Sequence, residues 1–79
     1  MTKLADVIAF LEQGDWEAAH PIAQDDPSPL GSWAHGIVHM MEGDLANAGH
    51  WYKRADRKLP EVSQINDEIA ELKQQLSAG

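Results

Sequence analysis

The sequence predicts an all-α domain: two antiparallel helix pairs followed by a C-terminal helix that caps them. Three observations carry that expectation. Gly14-Asp15-Trp16-Glu17-Ala18-Ala19 returns as Gly43-Asp44-Leu45-Ala46-Asn47-Ala48. Each copy reads as a helix stop and a helix start, because Gly can end a helix in the left-handed conformation and Asp can cap the next one. Apolar residues recur at intervals of three and four along most of the chain, and no segment carries the alternation of a strand.

The first helix is expected over residues 2–13, on Leu4, Val7, Ile8 and Leu11, with Ala5 and Phe10 beside them. Asp15 then caps a second helix bearing Trp16, Ala18, Ala19, Ile22 and Ala23. Pro21 lacks an amide hydrogen and crowds the preceding turn, so a kink or an early end is expected there. Asp25-Asp26-Pro27-Ser28-Pro29 reads as a linker, with Ser28 as cap and Pro29 at the first helical position of a third helix over 29–42. Leu30, Trp33, Ile37, Met40 and Met41 fall on one broad face of it, and His35, His39 and Glu42 on the opposite face. A fourth helix is expected from Leu45 to about residue 58, burying Leu45, Ala48, Trp51, Tyr52 and Ala55. Pro60 opens a fifth, whose apolar seam is Val62, Ile65, Ile69, Leu72 and Leu76, and Ser77-Ala78-Gly79 should fray.

At 79 residues the chain is one domain, spanning 1–79. Such a domain buries only about 60% of the surface that its unfolded chain exposes. No cysteine is present to supply a disulfide or a thiolate metal site, so partner binding or self-association is a natural remedy. A formal charge of -7 disfavours nucleic acid and anionic membranes as partners. No apolar run approaches the length of a transmembrane helix. The N-terminus reads as the start of an amphipathic helix rather than a signal peptide, and a cytoplasmic location is expected.

Residues Leu30 to Pro60 resemble one tetratricopeptide repeat. With Gly43-Asp44 on the mid-repeat turn, Gly36 takes the small position of the first helix. Ala48, Tyr52 and Ala55 take the small, aromatic and small positions of the second, and Pro60 the terminal proline. Trp33 stands one residue from the family's usual tryptophan, while His35 and His39 replace its leucine and tyrosine. The first copy matches less well, and the two lie closer together than the family's period of about 34 residues. Trp33-Ala34-His35 through His39, Glu42-Gly43-Asp44-Leu45, Asn47-Ala48 and Trp51-Tyr52-Lys53-Arg54-Ala55 also look like a family of small uncharacterised bacterial helical proteins. The first resemblance implies a tetratricopeptide-like helical array and a surface that binds proteins or peptides.

The function expected from these features is therefore a non-catalytic protein–protein interaction, with a second copy of the chain among the candidate partners. Trp33, Ile37, Met40 and Met41 would form its apolar surface, with Trp51 as an adjacent anchor. Met adapts its shape and Trp supplies buried area. The competing arrangement has the fifth helix fold back and fill that groove. Lys53, Arg54, Arg57 and Lys58 are explained by a helix C-terminus and by acidic neighbours. No cofactor is expected, and no acid, base and nucleophile stand together as an enzyme would need.

His35 and His39 carry the alternative, a small metal-binding or metal-dependent protein. Imidazoles at i and i+4 share one helix face and can share an ion. Glu42 or His50 could add a ligand. Two histidines fall short of the three or four ligands that zinc takes, so the simpler expectation is that both pack between the third and fourth helices, hydrogen-bonded to backbone, Tyr52 or a carboxylate.

Overall fold

In the computed structural model, which describes residues 4–78, each Gly-Asp pair ends one helix and begins another. α1 (Leu4–Glu12) stops at Gly14 and α3 (Pro29–Glu42) at Gly43, with φ of 77° and 90°. The Gly14 and Asp15 amides donate to the Leu11 and Phe10 carbonyls at 3.0 and 2.9 Å. Those of Gly43 and Asp44 donate to Met40 and His39 at 3.1 and 2.9 Å. These bonds occupy carbonyls that a helix end leaves without partners. The carboxylates of Asp15 and Asp44 then accept from the Ala18 and Asn47 amides, each at 3.2 Å. They open α2 (Trp16–Gln24) and α4 (Leu45–Arg54). α3 is capped by Ser28, which accepts from the Gly31 amide at 3.1 Å.

Three boundaries differ from expectation. α2 runs through Pro21 to Gln24. The only carbonyl that Pro21 deprives of a partner belongs to Glu17; both residues face solvent, so the helix continues at little cost. α4 ends at Arg54 because Asp56 adopts a left-handed φ of 59°, and the Asp56 and Arg57 amides donate back to Lys53 and Tyr52. Aspartate visits the left-handed region more readily than most residues. Leu45, expected to be buried, is the first residue of α4 and is 46% exposed, and Val62 of the expected apolar seam is 52% exposed. α5 (Ile65–Ala78) starts five residues after Pro60, behind a 3₁₀ turn at Val62–Gln64 closed by reciprocal Glu61–Gln64 bonds. Ser77 and Ala78, expected to fray, are helical, while Thr2 and Lys3 of the expected first helix, and Gly79, lie outside the described residues.

α1 pairs with α2 and α3 with α4, α2 packs on α3, and α5 lies across α1 and α3. Every described element is helical. α3 is consequently enclosed: Gly31 to Met40 are buried without a break. Its contact with α4 is closest at Gly36. A Cβ there would stand 2.5 Å from Cδ1 of Tyr52 and 3.4 Å from the Ala48 carbonyl oxygen.

α5 fills the face that the sequence offered as a partner groove. Trp33, Ile37 and Met40 are at most 2% exposed, and Leu30 and Met41 pack against the same core partly buried. Glu68 of α5 holds the cover in place. Its Oε1 accepts from Trp33 Nε1 at 3.0 Å and from the Tyr52 hydroxyl at 2.7 Å. Burial first, and then the Glu68 carboxylate, push the Tyr52 hydroxyl well above its ordinary range, so it stays protonated and donates. Arg57 lies 3.5 Å from the Trp33 ring centroid and pairs with Glu71 at 3.2 Å. An open apolar groove is thus corrected: Trp33, Ile37 and Met40 are core, Met41 lies partly buried beside them, and the fifth helix folds back over them as the competing arrangement expected.

Gly36→Ala should destabilise the protein by about 1–3 kcal/mol, as overpacking does. Gly49→Ala, whose added Cβ meets nothing nearer than 3.8 Å, should stabilise α4 by about 0.5–1 kcal/mol. Urea unfolding checks both, and equal effects would contradict the close α3–α4 approach. Glu68→Ala should cost about 1.5–3 kcal/mol for each of its two charged hydrogen bonds. An unchanged urea midpoint would mean that α5 is not held through Glu68.

Candidate functional site

Enclosing α3 places two of its polar side chains inside the protein. His35 is 3% exposed and His39 9%. They sit one helical turn apart, with ring centroids 4.8 Å apart and planes inclined by 24°. Burying such groups without partners would cost several kcal/mol, on the order of 2–7 for a single polar group. Among the described residues no buried side-chain nitrogen or oxygen lacks a partner.

The partners come from three directions. From α2, His20 brings its Nε2 to 3.1 Å from His35 Nε2, so one ring donates and the other accepts. The His20 ring meets both others edge-on, at centroid distances of 4.8 and 5.3 Å. From the last turn of α3, Glu42 places Oε1 2.6 Å from His39 Nδ1. A carboxylate only accepts, so Nδ1 of His39 carries a proton, and in the neutral ring Nε2 keeps its lone pair. From α4, Trp51 stacks on His35 with centroids 4.0 Å apart and planes 21° apart. Arg54 stands 5.0 Å from the centroid of the Trp51 ring.

One ligand atom from each of His20, His35 and His39 can be chosen so that all three lie within 4.8 Å of one another. The same holds for His39, Glu42 and Asp44, so His39 is common to both groups. His20 and His39 are not sealed off. Trp16, Glu17, His20, His39, Glu42, Asp44 and Asn47 line a cleft of about 410 Å³ between the start of α2, the end of α3 and the start of α4.

Of the residues singled out from sequence, His35, His39 and Glu42 come together. His50 does not join them: it is exposed and touches only the edge of Trp51 within the aromatic set, at 5.2 Å and 85°. Trp51 is a half-buried wall of the histidine cluster rather than an anchor beside an apolar groove. Tyr52 is bonded to Glu68 and takes no part. His20 was missed. Its one sequence signal is that it follows the Asp15 cap on the helix that the echo sets beside α3, and the expected break at Pro21 hid it.

No protein-family model, curated protein or solved structure matches this chain.

Burial above all, then the neighbouring His39, His20 and His50, lower the His35 pKa from its ordinary 6.5 to about 4. Between those values the unfolded chain binds the proton and the folded protein does not. The stability contributed by neutral His35 is present above pH 6.5 and is lost as pH falls toward 4. Melting temperature should drop over that window, and less steeply in His35→Gln, which removes the titrating ring. Parallel curves for the two proteins would show that His35 titrates normally.

Proposed function

We propose that this protein binds one divalent late first-row transition metal ion, zinc, nickel or copper, through His20, His35 and His39. The observation that carries the proposal is the meeting of three imidazoles from two helices, with a 3.1 Å approach between the Nε2 atoms of His20 and His35. Two ligands of a tetrahedral ion with bonds near 2.0–2.1 Å stand about 3.3 Å apart, close to that spacing. The ion takes the place of the proton that the two rings share. An all-imidazole set suits zinc, copper and nickel, and not magnesium or calcium, which prefer oxygen. His39 is further suited by Glu42, since a carboxylate on Nδ1 fixes the ring and leaves Nε2 as the donor.

The ligands come from both helix pairs, His20 from the first and His35 and His39 from the second. A bound ion therefore joins the pairs, and in so small a domain that link adds to a thin stability margin.

Isothermal titration of metal-free protein with zinc should show one ion per chain. Melting should rise with zinc, corresponding to about 2.7 kcal/mol when free zinc is 100 times Kd. His20→Ala, the least enclosed of the three changes, should abolish both effects with helicity intact, and His50→Ala should alter neither. Binding that survives His20→Ala, or that needs His50, would overturn the assignment.

A further inference from the structure

The ligand count leads one step further, and this step rests on the metal-binding reading above. A closed structural zinc site uses about four protein ligands, whereas a site with three keeps one position for water or another small molecule. The histidine group supplies three. Glu42 and Asp44 are the candidates for a fourth, but Glu42 Oε1 is engaged by His39 Nδ1 at 2.6 Å, the place of an orienting carboxylate behind a ligand, and both Asp44 oxygens are bonded to Asn47. Trp51 stacks on His35, which is 3% exposed. His20 and His39, in contrast, both line the 410 Å³ cleft.

We propose that the ion held by His20, His35 and His39 keeps an exchangeable position facing this cleft, and that the position takes small uncharged nitrogen or oxygen donors in preference to anions. The preference follows from the walls. Glu17, Glu42 and Asp44 are the charged groups lining the cleft together with the two histidines, and all three are acidic. Among the described residues no lysine or arginine lines it. Anions entering such a cleft are repelled by each carboxylate, while a neutral donor meets the ion, the Asn47 amide and the face of Trp16 without that opposition. Glu42 acts as a positioning residue through His39.

The test uses cobalt(II), whose visible bands report coordination directly, with imidazole and azide as the neutral and anionic probes. Cobalt-loaded protein should change its visible spectrum saturably with imidazole while the cobalt stays with the protein after gel filtration. Azide should bind more weakly. Asp44→Asn, which retains a capping side chain, should tighten azide roughly two- to five-fold, the effect expected of one partly screened charge, and leave imidazole unchanged. Glu42→Gln should weaken cobalt roughly 10- to 100-fold yet preserve the response to imidazole. Failure to take up cobalt would overturn the metal-binding reading itself. Uptake of cobalt with bands that neither probe moves would leave that reading standing and overturn the open position. Equal azide affinity in Asp44→Asn and the parent protein would show that the position does not face these carboxylates.

Discussion

Everything in this protein is arranged around a helix that has no free side. α3 touches α1, α2, α4 and α5, and ten consecutive residues of it are buried. A helix enclosed in this way is normally apolar all round. α3 is not: His35 and His39 lie inside, and the hydrophobic contacts of Trp33, Ile37, Val38 and Met40 can be made only if both rings find polar partners in the interior. Gly36 makes the enclosure tight, since the absence of a side chain there lets the Tyr52 ring lie against the α3 backbone. That contact sets the position of α4, and with it Trp51 over His35. The same helix therefore creates the core and fixes the geometry of the histidines.

The polar solution is divided between the two sides of α3. On the α5 side, Glu68 satisfies Trp33 and Tyr52 together, and the Arg57–Trp33 contact closes over them. This side is structural, and it occupies the surface that a partner helix would need. On the α2 side the solution is different in kind. His35 is bonded to another imidazole rather than to a carboxylate or a backbone group. Two neutral rings sharing one proton satisfy each other, and once that proton is displaced the two Nε2 lone pairs converge where a cation fits. A third ring at His39, oriented by Glu42, stands beside them. This asymmetry is why the metal-binding reading is favoured: the α5 side ends in a conventional acceptor, and the α2 side ends in a set of nitrogen donors next to a cleft.

Much of the fold was legible because its signals are local. Gly14-Asp15 and Gly43-Asp44 fix two helix ends and two helix starts within a few residues, and Ser28-Pro29 fixes the start of α3. Gly36, Ala48 and Tyr52 were legible as a close contact because small and aromatic residues at helical spacing leave few alternatives. What escaped depended on compensation or on distance. Pro21 is tolerated because it and Glu17, whose carbonyl it orphans, are exposed, and Asp56 ends α4 in a conformation usually left to glycine. Whether Trp33, Ile37 and Met40 form a groove or a core depends on where α5 lies, which spacing on α3 alone does not fix. The histidine pair was legible from its i,i+4 spacing, but its third member comes from another helix 15 residues away, and periodicity within one helix carries no information about it.

The central claim is that three particular imidazoles, and not the fourth, form one coupled set with fixed proton positions. Long-range proton–nitrogen NMR of the histidine rings tests it most directly. Metal-free protein should show His39 protonated on Nδ1, and coupled Nε2 resonances for His20 and His35. One equivalent of zinc should move the Nε2 signals of His20, His35 and His39 together and leave those of His50 in place. Zinc-induced shifts at His50, or three rings that respond independently at different zinc concentrations, would contradict the account.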